Sequence, residues 1–143
     1  MSTPRRILAV DYGDARTGLA ATDWTGTIVV PLPRIDARDP AAVATAIAAL
    51  VQERDTELVV LGMPLSQDGA KGPRAVRTAA FQQLLQKALR CPVEAIDESH
   101  STDEEHELLK AGGMKAARRK QLADSTAALV ILERYRSSQR RRS

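Results

Sequence analysis

Ile7-Leu8-Ala9-Val10-Asp11-Tyr12-Gly13-Asp14-Ala15-Arg16-Thr17-Gly18-Leu19-Ala20-Ala21-Thr22 is the stretch that decides the fold. Ile7 to Asp11 is a short apolar run closed by an acid, the pattern of a buried strand. Tyr12 to Ala15 is a tight turn rich in Gly and Asp. Thr17 to Thr22 reads as a second strand returning beside the first. Gly26 marks another turn, and Thr27 to Leu32 gives a third strand, so the chain opens as an antiparallel meander. Pro31 and Pro33 are expected to end it, because proline brings no N–H to a sheet ladder.

Beyond the meander, strands and helices alternate. Asp39-Pro40 is an N-cap followed by proline at the first helical position. Val43, Ile47, Leu50 and Val51 then recur at helical spacing. Glu57 to Gly62 is a continuous apolar strand, and a Gly- and Pro-punctuated loop follows to Pro73. A second helix is expected from about Arg74 to Leu89, with Val76, Ala80, Phe81, Leu84, Leu85 and Ala88 inward. Val93 to Asp97 is a fifth strand, Thr102 caps a short helix ending at Gly112-Gly113, and a last helix runs from about Ala116 or Arg118 to Tyr135. The order βββαβαβαα predicts an α/β fold. It has a five-stranded mixed sheet, three antiparallel strands then parallel ones, with helices on both faces. Residues 1–136 form one domain and residues 137–143 a basic tail, expected to be disordered.

Composition narrows the function. The chain has 143 residues and 43% hydrophobic residues, enough for one domain with a real core. Aromatics are 3%, too few for a stacking platform that binds single strands. Cys91 is the only cysteine, which excludes an internal disulfide and a cysteine zinc site and fits a reducing cytoplasm. No apolar run approaches the length of a membrane helix, and Ile7 to Val10 is too short for a signal-peptide core. The net charge of +3 is unevenly spread. Lys115, Arg118, Arg119 and Lys120 form one basic cluster; Arg134, Arg136, Arg140, Arg141 and Arg142 form another; Asp97 to Glu107 is strongly acidic. Basic patches beside an acidic centre suit a protein that grips phosphates and holds metal, although charge runs of this kind are often only solvated faces.

Three sets of carboxylates stand where chemistry is expected. Asp11 ends a central strand, a costly place for a carboxylate unless water, hydrogen bonds or a cation attend it. Asp97 and Glu98 end another strand. Adjacent strand residues point to opposite faces, so only one of the two serves a given site. Asp124 lies in line with Ala127, Ala128 and Ile131 on one helical face, a poor interior position for Asp without a reason. Carboxylates that converge repel each other unless a cation intervenes, and an all-oxygen cluster selects Mg²⁺ or Mn²⁺. In the loop before the second helix, Lys71 with the helix N-terminus suits a phosphate, though the pattern is not that of a P-loop. His100 and His106 read as surface histidines, and Trp24 as a turn-edge or packing aromatic.

These residues resemble the YqgF family, whose members are described as pre-16S rRNA nucleases or as RuvX-type Holliday-junction-resolvase-like proteins. The resemblance rests on Ile7 to Ala20, on Val59 to Leu65 with Asp68-Gly69 and Gly72, on Asp97-Glu98 with Ser101-Thr102, and on Asp124 to Ala128 with Ile131-Leu132. It covers essentially the whole chain. It implies an RNase H-like fold, a cytoplasmic setting, a divalent metal, and Asp11, Glu98 and Asp124 as the acidic triad. It implies a nuclease that matures the 5′ end of pre-16S ribosomal RNA, with cleavage of Holliday junctions or other branched DNA as the alternative. Two departures stand out: Ser99-His100-Ser101 replaces the family's usual Arg-Leu-Thr, and, unlike RNase H-like nucleases at large, in which an acid often ends the fourth strand, this strand ends in Gly62. Substrate phosphates are expected across Arg16, Lys71, Lys115, Arg118, Arg119 and Lys120. A non-catalytic nucleic-acid-binding module is the first rival. A phosphotransferase is the second, disfavoured because it needs another domain to close over nucleotide. An apolar edge or the last helix could support a homodimer.

Overall fold

The computed structural model describes residues 4–64, 72–97 and 126–142. Its elements are β1 (Ile7–Asp11), β2 (Arg16–Thr22), β3 (Val29–Asp36), α1 (Pro40–Arg54), β4 (Leu58–Met63), α2 (Pro73–Ala88), β5 (Val93–Asp97) and α3 (Thr126–Arg142). The strands form one sheet in the order β3-β2-β1-β4-β5. β1 pairs antiparallel with β2, with Val10 opposite Leu19, and parallel with β4, with Val10 opposite Leu61. β5 continues the parallel half beside β4. This is the mixed sheet the sequence predicts. The expected helix between Thr102 and Gly112, and the expected start of the last helix, lie outside the described residues.

Strand alternation divides the core into two layers. Leu8, Val10, Leu19, Ala21, Val59 and Leu61 face Val43, Ala44, Ile47 and Val51 of α1 and Phe81 and Leu85 of α2. Ile7, Ala9, Ala20, Leu58 and Val60 face the other way, against Ala128, Leu129, Ile131, Leu132 and Tyr135 of α3. The apolar runs of β1 and β4 thus serve both faces at once, which is why neither shows a polar side.

α1 begins as its sequence requires. The Asp39 carboxylate accepts the N–H of Ala41 at 3.3 Å and Pro40 opens the first turn. It ends at Asp55, which adopts the left-handed conformation with φ 54.

Three expectations are corrected. β3 runs through Pro31 and Pro33 to Asp36. It is an outermost strand, and the pairs Leu19–Leu32 and Thr17–Ile35 leave Pro33 and Arg34 opposite Gly18 alone. An edge strand with a bulge is where proline costs no ladder bond. In α2 the buried stripe is Ala75, Thr78, Phe81 and Leu85, while Val76, Ala80 and Ala88 are exposed. Small residues lie all round this helix, so packing on α1, β4 and β5 chose the face. Finally, α3 continues to Arg142, past Tyr135, so residues 137–142 extend the helix. That segment contains no Gly or Pro to stop a helix. Among the described residues no helix is long and apolar enough to cross a membrane.

Candidate metal site at the carboxyl edge of the sheet

β1, β4 and β5 are parallel, so Asp11, Met63 and Asp97 end at one edge of the sheet. β2 runs the other way and starts there, with Arg16 opposite Asp36 of β3. The edge therefore gathers Asp11, Arg16 and the turn between them. Within that turn a Cβ on Gly13 would collide with the main-chain oxygen of Arg16. Glycine is what lets the chain double back so soon after Asp11.

Asp11 continues the face of Ile7 and Ala9, the face that α3 covers. Its side chain is 23% exposed, and its Oδ1 is buried without a hydrogen-bond partner. The Arg74 guanidinium approaches the same oxygen to 3.9 Å, beyond hydrogen-bonding range. A buried carboxylate oxygen that no donor reaches is costly, and a hard cation with a preference for oxygen would satisfy it. The donor thus fits a divalent ion.

Tyr12 points to the opposite face, onto the α1–α2 layer, where its ring stacks on Phe81. Burial, and then the Asp14 carboxylate beside it, push its phenol above the ordinary value, so it stays protonated at neutral pH. Asp14 accepts from Arg77 at 3.4 Å, which ties the β1–β2 turn to α2. Arg74 and Arg77 both lie near the start of α2, which has no acid in its first turn. Cations are electrostatically unfavourable at a helix N-terminus. That mismatch is the signal by which the sequence marks both arginines.

Val93 belongs to the α1–α2 layer and Ile96 packs against the α3 layer. Asp97 therefore falls on the face away from Asp11, and it is exposed. Its main-chain oxygen accepts from Arg134 of α3 at 3.4 Å. Arg136 is likewise engaged, with Glu133 at 3.2 Å and the carbonyl of Thr27 at 3.1 Å. These two arginines of the second basic cluster thus hold α3 to the rest of the molecule. Glu98, Asp124, Lys71, Lys115, Arg118, Arg119, Lys120, His100 and His106 lie outside the described residues. Among the described residues no three metal-ligating side chains converge.

At the opposite end of the sheet is a cleft of about 480 Å³ lined by Arg6, Thr22, Asp23, Trp24, Glu53 and Arg54 among others. It contains none of the residues singled out from the sequence as carrying chemistry. Trp24 stands 81% exposed at the turn between β2 and β3, the turn-edge position expected for it.

Comparison with known proteins gives a consistent result. The RuvX family model, described as Holliday junction resolvase, matches residues 5–138. A protein of Chloroflexus aurantiacus named "Putative pre-16S rRNA nuclease" is 39% identical over 134 residues, covering 94% of this chain and 88% of that protein. Among solved structures, Thermus thermophilus RuvC superposes with a TM-score of 0.59 at 14% identity, over 87% of this chain and 91% of that one. The fowlpox virus Holliday junction resolvase does so with a TM-score of 0.58 at 14% identity, over 93% and 99%. At such identities the two structures bear on the fold alone.

Proposed function

The chain belongs to the RuvX family and has an RNase H-like fold, and from that premise we propose that it is a divalent-metal-dependent nuclease acting on structured RNA in the 5′-end maturation of pre-16S ribosomal RNA, in the cytoplasm. The observation that carries the reading is the buried Oδ1 of Asp11, which accepts no hydrogen bond, at the carboxyl end of a central strand. The substrate follows the name borne by the relatives that match along nearly the whole chain.

Asp11, Glu98 and Asp124 would hold the ion. Two features support this set. In β5 the residues alternate between faces, with Ile96 on Asp11's side of the sheet. That side excludes Asp97, and continued alternation would assign it to Glu98. α3, for its part, runs against β1: Tyr135 and Gln139 share a small cavity with Ile7 and Arg5, at the amino end of that strand. The start of α3 therefore points towards the edge where Asp11 stands, and Asp124 precedes it by two residues.

Bound there, Mg²⁺ or Mn²⁺ would stabilise the negative charge that develops on the scissile phosphate. The chain's own side chains bind and orient the substrate. Arg16, exposed at the same edge, together with Lys71, Lys115, Arg118, Arg119 and Lys120, is assigned to backbone phosphates. Contacts of this kind make binding fall steeply with salt.

The test is cleavage of precursor 16S RNA with Mn²⁺ by the wild-type protein and by Asp11→Asn. Loss of at least two orders of magnitude is expected in the variant; equal cleavage rejects the assignment. A four-way DNA junction belongs in the same assay. The description of the matching family favours that second substrate, and cleavage of the junction alone would transfer the activity to DNA.

A further inference from the structure

Among the described residues Arg74 is the cation paired with Asp11, and its position is odd in three respects. It sits at the start of α2, where a positive charge opposes the helix dipole. It reaches across from α2 to an acid at the end of β1. And it approaches the carboxylate oxygen that has no hydrogen bond without making one. Packing does not explain this placement, since the Arg74 side chain is 58% exposed. An ion pair this open contributes little to stability and exchanges partners readily.

A divalent ion at Asp11 would take the oxygen that Arg74 now approaches, and the two cations would repel each other. The guanidinium would then stand at the rim of the metal site without its acid. A phosphate is the anion it suits best, because its planar fork binds two phosphate oxygens at once. We propose that Arg74 exchanges Asp11 for a phosphate of the nucleic acid when metal and substrate enter, and so positions the substrate against the metal site. This inference rests on the proposed metal site at Asp11 and adds a substrate-binding residue absent from the sequence-based set.

The exchange has a signature that a structural role lacks, because one substitution moves two affinities in opposite directions. Mn²⁺ binding to the full-length protein without nucleic acid is measured by calorimetry. Affinity for a short hairpin RNA with Mn²⁺ is read by rapid-mixing anisotropy, before turnover. Arg74→Ala should bind Mn²⁺ about two- to five-fold more tightly, the range an exposed ion pair supports, and the RNA roughly ten-fold more weakly. Arg74→Lys keeps the charge without the fork. It should restore wild-type Mn²⁺ affinity and recover the RNA affinity only in part. Equal or weaker Mn²⁺ binding by Arg74→Ala, or undiminished RNA binding, overturns the proposal. Asp11→Asn in the same titration separates the two readings. If it loses Mn²⁺ while Arg74→Ala changes nothing, the metal site stands and the exchange is wrong. If it binds Mn²⁺ as the wild type does, both are wrong.

Discussion

Tyr12 lies nearly flat on Phe81, with ring centroids 3.9 Å apart and planes 8° apart. Phe81 is 2% exposed and belongs to the α1–α2 layer, so the residue after Asp11 is clamped from the side opposite the site. The two neighbours divide the labour by parity: Tyr12 anchors the strand end while Asp11 is presented at the other face. Phe81→Ala should cost about 3–5 kcal/mol in urea unfolding, from lost burial and the cavity left behind. It should also lower cleavage roughly 10- to 100-fold, because a carboxylate displaced by an ångström no longer meets its partners. A variant that loses stability but keeps full activity in the folded state would show that the clamp does not position Asp11. Asp11 itself was legible in the sequence, as an acid closing an apolar run. Its partner Arg74 was not, because the pair joins the end of β1 to the start of α2, and no local pattern encodes a contact between distant elements.

Between elements, β1 and β4 are tied together at their amino ends by Glu57. Its carboxylate accepts the N–H groups of Arg5 and Arg6, each at 3.2 Å, and the Arg6 guanidinium lies at 3.5 Å. The two backbone donors, Arg6 first and then Arg5, hold the acid below the ordinary glutamate value. Because the folded-state value is depressed, the stability this group contributes is present above the unfolded glutamate range. It is lost as pH falls through the lower, folded value. Glu57→Gln keeps an oxygen acceptor but cannot titrate. The stability difference between the two proteins, followed by urea unfolding, should be constant around neutrality and shrink below roughly pH 4. A difference that does not vary with pH would mean that the charge plays no part in the tie. At this scale the sequence located every described strand and helix, and most of their bounds to within a few residues. Its errors were the length of β3, the azimuth of α2 and the end of α3. The first two are not local: an edge position spared the prolines, and packing chose among the small residues of α2. The third is local, since nothing in residues 137–142 breaks a helix.

For the molecule as a whole, the sheet has two unequal coverings. α1 and α2 share one face, while among the described residues α3 covers the other. Leu132, fully buried in that second layer, packs with Ile7, Ala9 and Val60 at the centre of the sheet. Leu132→Ala should therefore cost about 2–5 kcal/mol. The denaturation midpoint should fall while the slope of the transition is kept; a second transition would mean that α3 unfolds apart from the sheet. The far end of the same helix lies beside the amino end of β1, where Tyr135 and Gln139 share a small cavity with Arg5 and Ile7. By itself the sequence determined the order of the elements, the mixed sheet and the acid at the tip of β1, since alternation, helical spacing and turn residues are written into neighbouring positions. Only the tertiary structure decided that Asp11 stands on the α3 face, that Asp97 is turned away from it and that Arg74 reaches it. A strand's parity says which residues share a side, but only packing against a distant helix says which side that is.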